Sequence, residues 1–148
     1  MITNVNAQRF LLLFKGNSHS YVKNELPKEK PEAGTKTKTK ITQVKETVDQ
    51  ELMLSHLEGE FGVGICPVNT EGKCCLGVID IDYYKGRIRK VLDFIRDYQL
   101  PLLPFRSKSG GLHVYLMLSK SASAKSVRQV LSEIVKIFTY IIINEEKL

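Results

Sequence analysis

The run Cys74 to Asp82, CCLGVIDID, restricts the fold more than any other stretch of the chain. It is apolar over the length of one strand, and it ends with carboxylates at alternate positions. Such a run predicts a strand that enters a core and surfaces at its lip. Side chains alternate across a strand, so Asp80 and Asp82 leave from one face, roughly 7 Å apart along the backbone. Two anions that close repel each other, and a cation between them removes the penalty. Mg2+ or Mn2+ suits such hard oxygen donors, and two ions about 3.5 to 4 Å apart can bridge a carboxylate pair while gripping a triphosphate. The same two residues can also end a strand at a solvent edge with no metal, and the motif alone leaves both readings open.

Around this strand the chain alternates helical and extended patterns. Residues 5 to 14 read as a short helix, and residues 43 to 57 set Val44, Val48, Leu52 and His56 at helical spacing. Between them, residues 24 to 40 hold two prolines, many charges and almost no apolar side chain, which reads as a loop with repeated Thr-Lys pairs. FGVGICPV precedes CCLGVIDID, and NTEGK between them gives a hairpin signature with Asn69 and Gly72 in the turn. Residues 86 to 99 place Ile88, Val91, Leu92 and Ile95 on one helical face. LPLLPF and LHVYLML are two further strands. From Ser121 a last helix follows, capped by Ser121 or Ser123, with Val127, Val130, Leu131, Ile134 and Ile137 inward. The sum is an α+β plan, a mostly antiparallel sheet with helices on one face, in a single domain over residues 1 to 148.

Composition narrows the class. The chain of 148 residues is 43% apolar, which is enough to bury a core without disulfides. Cys66, Cys74 and Cys75 are clustered and flanked by apolar residues, so ordinary reduced thiols are expected rather than a zinc site. The net charge of +6 favours a polyanionic partner such as nucleic acid or nucleotides. No signal peptide or membrane span is visible, which points to a soluble intracellular chain.

The segment RSKSGGLHVYL, residues 106 to 116, changes character halfway. Ser107, Ser109, Gly110 and Gly111 can turn the chain tightly and expose backbone N–H groups as an anion nest, to which Arg106 and Lys108 add charge. His113 follows on the next strand, on the same face as Tyr115 and Met117, within reach of a phosphate oxygen. A glycine pair that only turns a hairpin, with an ordinary histidine beyond it, fits the segment as well.

The order of these parts is strand, Asp-Ile-Asp, helix, strand, basic Ser-Gly turn, His on a strand, helix. In that order the chain resembles the archaeo-eukaryotic primase superfamily, whose catalytic domain carries an hDhD metal motif followed by an S-x-H-like nucleotide motif. The pattern LPxLxxRSxSGxxHVxxxL, with FKGNSHSYVK and HLEGEFGVGICPV before it, is similar to the primase domain of TOTE conflict systems over roughly residues 8 to 140. The resemblance implies an RRM-like sheet core packed by helices and template-directed nucleotidyl transfer, by a DNA primase or polymerase. It implies Asp80 and Asp82 as catalytic metal ligands for Mg2+ or Mn2+, with His113 as the third catalytic residue. Arg106, Ser107, Lys108, Ser109, Gly110 and His113 then bind the nucleotide. The implied partners are a single-stranded DNA or RNA template, an NTP or dNTP, and a helicase working beside it, in the cytoplasm of a bacterial, archaeal or phage-infected cell.

One departure separates the chain from that pattern. The family carries a third, strand-borne Asp downstream of the His, and here no Asp follows Asp97; the closing NEEKL offers Glu145 and Glu146, which could substitute only by accident of position. A fragment, a split gene product and a domain that binds nucleotide and template but polymerises poorly all fit this. The competing class is therefore a non-catalytic nucleic-acid-binding module. A rolling-circle nuclease ranks lower, because it needs a His-x-His pair and LHVYL has one His. A Toprim-type nuclease needs an upstream Glu at a strand end, where Glu58 and Glu60 are poorly placed.

Overall fold

A computed structural model describes residues 2–25, 40–82, 88–107 and 110–143. Among these described residues the architecture is α+β, with four helices and two small antiparallel sheets. The chain divides into two compact units, residues 1–75 and 76–148.

In the first unit α1 (Asn4–Leu13) and α2 (Gln50–Glu58) accompany a three-stranded sheet of order β2-β1-β3, made by β1 (Tyr21–Asn24), β2 (Ile41–Val44) and β3 (Gly62–Ile65). Thr3 starts α1 with a reciprocal capping box to Asn6. Asp49 caps α2 by accepting from the Leu52 N–H at 2.9 Å, and Gly59 ends it in the left-handed region at φ 85°. Ala7, Tyr21, Val48 and Met53 form the buried centre, with Phe10, Leu52, Val63 and Ile65 packed around it.

Residues 43 to 57 are therefore not one helix. Val44 belongs to β2, opposite Tyr21, and the helix begins only after the Asp49 cap. The helical spacing of Val44 and Val48 with Leu52 is a coincidence that strand pairing overrides. The hairpin expectation is also half right. Asn69 does turn the chain, its N–H donating to the Lys73 carbonyl at 2.9 Å and its side chain accepting from Glu71 and Lys73, with Gly72 at φ 72°. Yet the two strands pair elsewhere: β3 with β1, and β4 (Lys73–Ile81) with a strand of the second sheet. The glycines of β3 explain its choice. A Cβ built at Gly62 would stand 3.1 Å from the Asn24 Cβ, so the missing side chain lets β1 come close.

The second unit holds β4 from Leu76 onward, α3 (Ile88–Asp97), β5 (Leu102–Arg106), β6 (Leu112–Ser123) and α4 (Ala124–Ile143), with sheet order β4-β6-β5. β5 and β6 are antiparallel, in a register that sets Leu103 opposite Tyr115 and Phe105 opposite His113. One face of this sheet is dry. Ile79, Ile81, Leu102, Leu112 and Val114 pack with Val91 and Ile95 of α3 and with Phe138, Ile141 and Ile142 of α4. Phe94 meets Phe138 edge to face at 6.5 Å between centroids. Each of these large side chains gains about 1.5–3 kcal/mol from burial.

The expected face of α3 is confirmed: Val91 and Ile95 are buried, with Ile88 and Leu92 packed on the same core. In α4 the expectation needs correction. Val127 is buried and Leu131 and Ile134 pack on the core, but Val130 and Ile137 are exposed, while Phe138, Ile141 and Ile142 take the inward positions. No helix among the described residues is long and apolar enough to cross a membrane.

Candidate functional site

The last residues of β4 alternate: Ile79 and Ile81 are buried, and Val78, Asp80 and Asp82 are exposed, whereas nearer the start of the strand Cys74 and Leu76, on the same side as the carboxylates, are buried. The apolar positions anchor the strand from beneath, so the carboxylates project from a rigid support rather than a loop. His113 of β6 stands beside them: its Nε2 lies 3.4 Å from Asp80 Oδ1, an ion pair when the imidazole is protonated. Both groups remain accessible, with 69% of the Asp80 side chain and 43% of the His113 side chain exposed.

Close backbone approach makes this neighbourhood. A Cβ built on Gly111 would fall 2.1 Å from the Ile81 carbonyl oxygen and 3.2 Å from Asp82 backbone atoms. Only glycine fits there, and its absent side chain lets the start of β6 sit against the end of β4. With Gly111 against Ile81 and Asp82, and His113 against Asp80, the two strands run in opposite directions.

The Ser-Gly turn is a hairpin closed on itself. The Ser107 N–H donates to the Gly111 carbonyl at 2.8 Å, the Gly110 N–H donates to the Ser107 carbonyl at 3.1 Å, and Gly110 sits at φ 92°. Those two N–H groups are spent within the turn, so neither serves the expected anion nest. Ser107 is buried. Arg106, the last residue of β5, lies opposite Leu112, which places it on the face away from His113. Lys108 and Ser109 lie outside the described residues, as do most of the Thr-Lys loop and Glu145 and Glu146.

The structure thus brings Asp80, Asp82 and His113 onto one open sheet face and separates Arg106 from them. Of two aromatic neighbours on that face, Tyr115 was expected beside His113, and Phe105 was not among the residues the sequence singled out. Phe105 is 51% exposed opposite His113, and its ring meets Tyr115 at 5.5 Å. The signal was present in the alternation of LPLLPF against LHVYL, which sets position 105 on the same side as 113.

Beyond the outer edge of β4, a cleft borders the carboxylates and is lined by Ile79, Ile81, Val135, Phe138, Thr139 and Ile142. The three cysteines have no part in the site. All are free, Cys66 is exposed, and burial pushes the Cys74 thiol above its ordinary value. Among the described residues no group of three or more His, Cys, Asp or Glu is placed to hold a metal ion. Two exposed carboxylates on one strand face still fit a magnesium-like ion, which commonly takes one or two protein carboxylates and completes its shell with water and substrate phosphates.

A one-sided sheet that offers a carboxylate pair and a histidine to solvent, with helices beneath, defines an α+β domain with an acidic, solvent-facing site on one sheet face. The comparison with protein families is specific: the family model of the archaeo-eukaryotic primase domain of TOTE conflict systems matches residues 3–144. The chain belongs to that family of primase-like nucleotidyltransferases. No curated protein matches it.

Proposed function

We propose that this domain catalyses template-directed nucleotidyl transfer, as a DNA primase or polymerase, with Asp80, Asp82 and His113 as its centre. The observation that carries the reading is the convergence of these three side chains on one open face, with His113 at 3.4 Å from Asp80. Asp80 and Asp82 would hold the divalent ion, Mg2+ or Mn2+. When bound, such an ion supplies a positive charge against the triphosphate and the developing charge of phosphoryl transfer.

The chain's own residues do the positioning. β4 holds the carboxylates two residues apart on a strand whose alternate side chains are buried. His113 stands close enough to Asp80 to exchange that contact for a hydrogen bond to a phosphate oxygen beside the carboxylates. Gly111 fixes the distance between the two strands. Ser107 and Gly110 support the reading as the closed turn that aims β6, while Lys108 would add positive charge and Ser109 a hydroxyl toward the nucleotide. A single-stranded DNA or RNA template fits the net charge of +6.

A second reading rests on the donor count. With two carboxylates and no third acidic ligand among the described residues, a module that binds nucleotide and template without synthesis has a specific observation behind it. Primer extension on single-stranded DNA with manganese separates the two. Wild-type chain is expected to extend the primer and the Asp80→Ala, Asp82→Ala double variant to give no product. Product from the double variant overturns the catalytic assignment, and binding without product from wild type selects the binding module.

A further inference from the structure

The face that carries the carboxylates also carries an apolar surface that metal and phosphate binding do not use. Across the sheet, Asp80 of β4, His113 of β6 and Phe105 of β5 form one row, joined by the 3.4 Å contact and by the ladder pairing of Phe105 with His113. Adjacent strands are about 4.8 Å apart, so the phenyl ring stands about 10 Å from the carboxylate with the imidazole between. Two residues further along the strands Leu103 pairs with Tyr115, and Val78, two residues before Asp80 on the same exposed face of β4, extends this second row in step with the Asp80–His113 contact. In it Leu103 and Val78 are 48% and 42% exposed, and Phe105 in the first row is 51% exposed.

An exposed Phe is not unusual alone, but here three large apolar side chains share one sheet face while Ile79, Ile81, Leu102, Leu112 and Val114 on the opposite face are buried. Phe105 is also held in place. Its ring meets Tyr115 at 86° with centroids 5.5 Å apart, and Tyr115 in turn meets His113 at 79° and 6.4 Å. An aromatic braced from one side and open on the other loses little freedom when a flat ligand settles on it.

We infer that Phe105, braced by Tyr115, is a stacking platform for a base of single-stranded nucleic acid whose phosphate lies toward His113. The inference rests on the primase reading and names the residue that holds the strand. A strand is favoured over a free nucleotide because the apolar surface is two rows deep. One base over Phe105 covers the first row, and the adjoining nucleotide covers Leu103 and Val78. The charge of +6 favours the polyanion as well. Stacking of this kind tolerates any sequence, because every base has a π-face.

The test is equilibrium binding of the full chain in EDTA, read by fluorescence anisotropy, so that no turnover is required. Three probes are compared: labelled oligothymidylate, an abasic oligonucleotide of equal length, and labelled dTTP. Wild type is expected to bind oligothymidylate about 5- to 100-fold more tightly than the abasic strand, the worth of a stacked base. Phe105→Ala should lose that preference with an unchanged salt slope, since no charge is removed, while Phe105→Trp keeps it. Circular dichroism confirms the fold of both variants. Wild-type affinity for oligothymidylate in Phe105→Ala, a loss confined to dTTP, a reduced salt slope, or no base preference in wild type each overturns the platform. A chain that fails to extend primers yet shows Phe105-dependent base preference loses the primase reading and retains the platform. The reverse pattern loses only the platform.

Discussion

The smallest residue at the site bears the tightest constraint. Gly111 has the Ile81 carbonyl 2.1 Å from where its Cβ would be, and a backbone atom cannot swing aside as a side chain can. Gly77, also in the second unit, is crowded differently: its Cβ would meet Leu131 Cδ1 at 2.5 Å and Val127 Cγ1 at 2.9 Å, side-chain methyls of which Leu131 has other rotamers, while the helical Val127 has few and would need a small shift of α4. Gly111→Ala must therefore part β6 from β4 or bend one of them, and overpacking of that kind costs about 1–3 kcal/mol. Gly77→Ala should cost less, because Leu131 can turn away. Urea unfolding of the two variants checks the order. Gly111→Ala should also weaken primer extension beyond its effect on stability, because the shift falls at Asp82 and on the spacing that sets His113 beside Asp80. Equal losses of stability in the two variants would show that β4 and β6 yield more readily than their packing implies.

At the scale of elements, α4 separates what periodicity reveals from what it hides. Val130 and Ile137 repeat at helical spacing with Val127 and Ile134, yet they are exposed, and the core is completed by Phe138, Ile141 and Ile142. Val130→Lys and Ile137→Lys should each change stability by no more than about 0.5 kcal/mol, whereas Phe138→Ala should cost about 3–5 kcal/mol, read by thermal or urea denaturation. The helix itself was legible because apolar residues recur throughout it. Its inward face was legible only in part, because the apolar residues of the helix spread over more than one stripe, most of all in its last turns, and only the partner sheet selects which of them face inward. The same limit explains the first unit. YVKN and ITQV are too short to announce themselves, and ITQV becomes a strand through pairing with Tyr21–Asn24, a contact more than 15 residues away in sequence. Asp80, Asp82 and His113 were legible because each lies on a strong strand pattern whose alternation fixes its face. Arg106 was misplaced for want of register: its charge drew it toward the nucleotide, and the pairing with Leu112 turns it to the other side.

For the molecule as a whole, charge and the site make different demands on the same ligand. The chain carries a net charge of +6, and its described lysines and arginines are mostly exposed, so attraction to a polyanion is spread over many of them rather than held by one pair. The site face is the exception, because Asp80 and Asp82 project from it and repel a phosphate until a divalent ion neutralises them. Two terms with opposite salt behaviour should then be visible in one titration. Neutralising each strand phosphate with a lysine or arginine contributes about −0.7 to the slope of log K against log salt for single strands. Three to five such contacts, on the order expected for a domain of this size, predict a slope between about −2 and −3.5 for oligothymidylate in EDTA. Adding millimolar Mg2+ at fixed ionic strength should strengthen nucleotide binding in the wild type, because the ion converts the acidic pair from a repulsive to an attractive element. It should leave nucleotide binding by the Asp80→Ala, Asp82→Ala variant unchanged, since that variant has lost both the repulsion and the ligands. Anisotropy with and without Mg2+ in both proteins measures the two effects together. A magnesium response of the same size in the double variant would mean that the ion acts on the nucleotide alone, and the carboxylates would then lose their part in metal binding while the salt slope, which belongs to the rest of the surface, stayed as it was.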